Sequence, residues 1–313
     1  MGAVRRYAAM FFAVCVALAA GIALGAGPLQ TSASADGDTS TDTTALDDRI
    51  ISLERGRLFV DAVARAAQNA MLGAELDDAA VTVVALPGAS DTAVTNVSRA
   101  VERAGGLVTV AARVAERLVD PAQKTYTDSV AASSSEHLRD LPAGAPDETY
   151  AQISALFARA YVGSGDDLLL DDEAVKIDSE LRGAKLVTLE GEPKRRGSLV
   201  VVVGPGDHGT DEVITASHLI EVALLNALVT ASDAVLLMTP PTGTDAGGLV
   251  SAAATDPSLD SDKLSTLNVS AGPAAEVTAV HALAAAARGH AGTFGVEGAN
   301  VTLPPTLLAI AGG

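Results

Sequence analysis

Residues Val81 to Val110 read as one strand–turn–helix–strand unit, and no other stretch narrows the fold as much. Val81-Thr82-Val83-Val84-Ala85-Leu86 is a short apolar, β-branched run closed by Pro87-Gly88. A helical pattern follows from Asp91 to Ala104, capped by Ser90 or Asp91 and stopped by Gly105-Gly106. Leu107-Val108-Thr109-Val110 is then the next strand. A strand, a Pro/Gly turn, a helix, a glycine stop and a second strand are what a parallel sheet requires, because the chain must cross back before it can pair in the same direction.

The scheme recurs. Ser198 to Val203 is continuously apolar, and a glycine-rich turn leads to a helix from about Thr215 to Thr230 and a strand at Ala234 to Met238. After Pro240-Pro241 come a helical stretch around Ala246 to Ala254, a strand at Lys263 to Leu267 and an alanine-rich helix from Pro273 to Arg288. Leu186 to Leu189 is one more candidate strand, and Glu116 to Arg182 reads as helical but less regular. Strands without polar alternation are expected to be covered on both faces. The fold class is therefore α/β: a parallel-sheet, Rossmann-like body over residues 80–304, divisible into subdomains at about 80–190 and 197–304, with helices on both faces. Aromatic residues make up 3% of the chain and Trp is absent. The core must then be built from Ala, Val and Leu, which suits close helix-on-sheet packing.

Ahead of this body the chemistry is different. Arg5 and Arg6 precede an uncharged stretch whose apolar part runs from about Tyr7 to Ala26. About twenty such residues, rising about 1.5 Å each, span a bilayer. Asp36, Asp38, Asp42, Asp47 and Asp48 follow, with no basic residue before Arg49. Arginines on one side only put the N-terminus in the cytoplasm and the body on the extracytoplasmic side. Residues 1–30 are thus expected to form cytoplasmic arginines and a transmembrane anchor in the lipid bilayer. A signal peptide cut after Ala33-Ser34-Ala35 is the alternative, and either way the body is exported. Ala17, Gly21 and Gly25 share one helix face, a small-residue spacing that lets two membrane helices approach closely.

Residues 31–44 (TSASADGDTSTDTT) are small, polar and acidic, the composition of a flexible linker. In the spacer, residues 45–73, apolar positions recur at alternating steps of four and three: Leu46, Ile50, Leu53, then Arg57, Val60, Ala64, Ala67 and Met71. This is a short coiled-coil seam interrupted by Arg57, or equally an ordinary helix lying on the body. Taken with the glycine face of the anchor, it points to a homo-oligomer formed through anchor and spacer.

With 21 basic and 39 acidic groups the net charge is −18, which repels phosphate backbones, so no nucleic-acid partner is expected. Gly204, Gly206 and Gly209 spell GxGxxG between a strand and a helix, the setting of a dinucleotide fingerprint. Pro205 removes an amide donor there, and Asp207, Asp211 and Glu212 place negative charge where a pyrophosphate would sit. A structural turn is the better reading. His208 with Asp207, and His218 with Glu221, have the residue types of acid–base pairs, but no GxSxG elbow accompanies them. The carboxylates at Asp166, Asp167, Asp171, Asp172 and Glu173 fit no calcium loop and read as a solvated helix start. No enzymatic reading and no cofactor follow from these residues.

Three blocks in succession carry a resemblance: RYAAMFFAVCVALAAGIALGAGPL (6–29), VTVVALPGASDTAVTNVSRAVERAGGLVTVAARV (81–114) and STLNVSAGPAAEVTAVHALAAAARGHAGTFGVEGA (265–299). Their order and spacing resemble the actinobacterial MctB-type copper transporter family, which also takes in SteB-like envelope proteins. The likeness extends from the anchor to Pro304, although that family often has Tyr where Phe294 stands. It implies a single-pass envelope protein of copper transport or copper homeostasis, with outer-membrane association. Through the SteB branch it implies instead a scaffold for envelope assembly beside a membrane-protein partner.

Copper enters by this resemblance alone. Cu(I) prefers thiolate or thioether ligands and Cu(II) prefers imidazole. The chain offers Cys15, Met1, Met10, Met71, Met238 and the histidines 137, 208, 218, 281 and 290, no two of them at a ligand spacing on a matching element. Met10 and Cys15, five apart, lie about 140° apart around a helix, so one chain cannot chelate with both.

Overall fold

The computed structural model describes residues 39–135, 149–165, 168–206, 212–244, 248–297 and 300–312. The anchor stretch with Ala17, Gly21 and Gly25, and the histidines 137 and 208, lie outside these residues. The first described element, α1 (Thr39–Leu72), is a single helix of 34 residues. It starts within the stretch read as linker, so residues 39–44 form its first turns. Extending a helix that is already nucleated costs little, and Ser, Thr and Asp are favoured at helix starts.

Among the described residues the body holds one eight-stranded sheet. Its strands are β1 (Ala80–Ala85), β2 (Leu107–Val114), β3 (Val187–Leu189), β4 (Leu199–Val203), β5 (Ala234–Met238), β6 (Leu264–Leu267), β7 (Thr293–Glu297) and β8 (Asn300–Thr302). Their spatial order is β3-β2-β1-β4-β5-β6-β7-β8. The six inner strands are parallel, while β3 and β8 pair antiparallel at the two edges. β1 pairs with β4 over Val81–Ala85 and Leu199–Val203, so the spans 80–190 and 197–304 share one sheet.

Between the strands run α2 (Asp91–Arg103), α3 (Glu116–Val119), α4 (Lys124–Ser134), α5 (Thr149–Tyr161), α6 (Asp172–Gly183), α7 (Glu212–Ala231), α8 (Leu249–Thr255), α9 (Pro273–Ala287) and the C-terminal α10 (Pro305–Gly312). Alternate strand residues face opposite layers. Val84, Val200, Val202, Val235 and Leu237 pack under α5, α6, α7 and α8. Val81, Val83, Val201, Val203 and Leu236 pack under α2, α9 and the end of α1. Helices on both faces are what the unbroken apolar strands led one to expect. Alanine makes this possible at α9, where Ala275, Ala279, Ala282, Ala284, Ala285 and Ala286 are all buried.

Within α7, Val213–Ala231 is long and apolar enough to cross a membrane by length and composition. Its Leu224, Leu225 and Leu228 are instead buried against the sheet, so it is a core helix of the body.

Candidate functional site

Among the described residues, exposed large apolar side chains gather on the free part of α1. The helix divides near Val60, which is half-buried. Downstream, Ala64, Gln68, Met71 and Leu72 are buried on the body. Upstream, Leu46, Ile50 and Leu53 are 59 %, 53 % and 51 % exposed and have nothing packed over them in the single chain. The heptad stripe is therefore continuous but used twice. Its alanine-rich half lies on α9, and its Leu/Ile half projects beyond the body. Small residues at Ala64 and Ala67 were the signal for the first use, since they let two helices lie close. Arg57, at the junction, pairs with Asp61 one turn on at 3.7 Å.

Polar contacts then lock the docked half in place. Arg103 Nη1 donates to Gln68 Oε1 at 2.8 Å, and its Nη2 reaches Glu276 Oε2 at 3.0 Å. Gln68 Nε2 also donates to Glu276 Oε2, which closes a triangle between α1, α2 and α9. His281, fully buried on α9, has one ring nitrogen 3.0 Å from the Met71 carbonyl and the other 3.0 Å from Thr306 Oγ1. Arg288 pairs with Glu75 at 3.1 Å. Sequence reasoning missed this clasp, because its members lie up to 213 positions apart and none belongs to a motif.

The Gly204-Pro205-Gly206 turn lies where β4 ends beside β1, at the point where strand order reverses and open α/β sheets usually bind ligands. The Gly204 amide is taken up by the Met238 carbonyl at 2.7 Å. A Cβ at Gly204 would stand 3.0 Å from Thr239 Cγ2 and 3.3 Å from Leu249 Cδ2, so glycine here serves close packing. Gly209 lies outside the described residues.

His218 and Glu221 do come together on α7, with Nε2 4.0 Å from Oε2. Both are buried, and no hydrogen bond reaches Glu221 Oε2. Burial pushes the Glu221 carboxyl up to about 8, so it is neutral near pH 7. The acidic run after Gly165 resolves into capping. Asp171 accepts the Ala174 amide at 2.8 Å, and Arg159 bridges Asp171 at 2.5 Å and Glu173 at 3.0 Å. Asp166 and Asp167 lie outside the described residues.

As a donor set for copper cargo, the body is poor. Met71 and Met238 are buried among core side chains, His281 has partners at both ring nitrogens, and His290 is exposed on its own. Among the described residues no group of three His, Cys, Asp or Glu side chains is placed to hold a metal ion. Cys15, Met1, Met10, His137 and His208 lie outside them.

No curated protein matches the sequence. The model of one family does, under the description copper transport outer membrane protein, MctB, and over residues 1–305. That match takes in the apolar N-terminus, the long helix, the eight described strands and the clasp apart from Thr306, and on it the chain belongs to the MctB family of copper transport outer membrane proteins.

Proposed function

We propose that the chain is a single-pass, membrane-anchored envelope protein of the MctB type, non-catalytic, which serves copper transport by assembling with further copies of itself. The family match carries this reading, since one family model spans both the N-terminal apolar stretch and the body, over residues 1–305. The exposed stripe at Leu46, Ile50 and Leu53 supports self-association. In a parallel pair, Arg49 and Glu54 of a second copy would take flanking positions of opposite charge. A single apolar helix encloses no channel, so a copper path requires several anchors or another membrane protein.

That no group of three metal-gathering side chains occurs among the described residues favours a second reading, an envelope scaffold of the SteB kind that acts by binding partners. Deletion of the gene separates the two. Copper transport predicts altered cell-associated copper with normal septa, restored by the wild-type chain and not by one carrying Ile50→Asp and Leu53→Asp. Unchanged copper with disturbed septa or wall would leave only the scaffold. Labelling intact cells from outside tests the topology, and failure to reach the acidic body would end both readings.

A further inference from the structure

The apolar stripe of α1 serves two surfaces that lie in one direction. In a helix of about 3.6 residues per turn, Leu46 and Ala64, Ile50 and Gln68, and Leu53 and Met71 are each about five full turns apart, so each pair points the same way. Below Val60 that direction is filled by α9. The two helices run side by side in the same sense, because their contacts pass in order from Asp61 beside Gly272, through Gln68 with Glu276 and Met71 with His281, to Glu75 with Arg288. Above Val60 the same direction carries the exposed Leu46, Ile50 and Leu53.

Self-association through α1, the reading on which this inference rests, then meets a steric limit. Packed helices lie about 8–10 Å apart. In a parallel two-fold pair, a second α1 would stand that far from the first on the stripe side. Each copy's α9 stands at a similar distance on that same side, further down. The α9 of one copy would therefore fall on the docked half of the other copy's α1. An antiparallel pair escapes this collision, but Asp47, Glu54 and Asp61 recur along one flank of the stripe and would face like charge across it. Parallel pairing sets Arg49 against Glu54 instead.

We infer that the contact between α1 and α9 is autoinhibitory: two copies pair in parallel through α1 only after each has released its docked half from α9. The clasp is built for release. Its ion pairs, Arg103 with Glu276 and Arg288 with Glu75, keep their arginines partly in water, which weakens them. Above Met71 the docked stripe is alanine, Ala64 and Ala67, so undocking it exposes little apolar surface. The gain comes from the upper half, where Leu46, Ile50 and Leu53 are covered on pairing. Beyond Arg57 the released turns offer a partner little more than alanine, so they stay loose.

The test uses the full-length chain in detergent micelles, with sedimentation to read association and amide exchange to read the clasp. Glu276→Ala and Arg103→Ala each remove clasp hydrogen bonds, while Ala64→Leu overfills the docked site and improves the seam. Each should favour release by about tenfold per copy, the size of one charged hydrogen bond, and so tighten the dimer about a hundredfold. The gain should vanish when Ile50→Asp and Leu53→Asp are added, which separates it from any pairing of the anchors. In the wild type, residues 61–72 should exchange faster in the associated protein than in the dilute monomer. Association unchanged by Glu276→Ala, Arg103→Ala and Ala64→Leu, or association that leaves residues 61–72 as protected as in the monomer, overturns the inference and leaves self-association standing. If the chain with Ile50→Asp and Leu53→Asp associates as strongly as the wild type, the stripe is not the contact, and the underlying reading falls together with the inference.

Discussion

Replacing Glu221 by glutamine should make the protein more stable at neutral pH and leave it unchanged in acid. Glu221 is 3 % exposed, and His218 Nε2 stands 4.0 Å from its Oε2, beyond hydrogen-bonding distance. Desolvation alone lifts it from 4.5 to about 8. Below pH 4.5 the group is protonated in both the folded and unfolded chains and contributes nothing. Between 4.5 and 8 the unfolded chain releases the proton while the folded chain keeps it, so folding stability falls as pH rises. At about 1.4 kcal/mol per pH unit, the loss near pH 7 is on the order of 3 kcal/mol. Glu221→Gln keeps the shape and the neutral state and removes this linkage. Urea unfolding at a series of pH values reads it directly, as a gap between variant and wild type that opens above pH 4.5 and levels off near 8. A gap independent of pH, or a variant less stable than wild type at neutral pH, would refute the reasoning. It would mean that the carboxyl is ionised and held by His218.

Three further outcomes are expected. Gly197→Ala would set a Cβ 2.5 Å from the Thr82 amide and hydroxyl, where β1, β4 and the end of α5 meet. It should cost about 2–4 kcal/mol, and an unshifted melting midpoint would count against that contact. Glu276→Ala opens the clasp and strips charged hydrogen bonds worth about 1.5–3 kcal/mol. Amide exchange should then quicken across residues 61–72 while β4 and β5 stay protected, and uniform protection would show that the clasp is dispensable. Ile50→Asp combined with Leu53→Asp should abolish self-association in sedimentation experiments without moving the melting point of the body, because neither side chain touches it. Unchanged sedimentation of a wild-type oligomer would place its contact elsewhere.

Strands β1, β4, β5 and β6 were legible because each is a short apolar run closed by Gly or Pro, and such runs fit little besides a sheet buried on both sides. The Ser90 cap was legible for a similar reason, as local chemistry with a local signature, and the acidic run was legible as a helix start, though not that Asp171 caps it. β7 and β8 were missed. Thr293-Phe294-Gly295-Val296 offers one buried aromatic and a glycine, too weak a pattern to separate from a loop. Strand order could not be read from any window, since it depends on which helix crosses which face. The same holds for the candidate sites. His218 and Glu221 had the residue types of an acid–base pair, and only the packing of α7 shows both buried with no hydrogen bond to Glu221 Oε2.

Because α1 is clasped to α9 through its last turns, it meets the sheet layer as a fixed mast with no swivel at its foot. The free part from Thr39 to Val60 is 22 residues, about 33 Å of helix. Whatever grips the upper end, whether lipid or a bundle of neighbouring masts, therefore sets the standoff and tilt of the strands below. A pull or twist applied at Leu46 reaches Glu276 and His281 before any loop can absorb it.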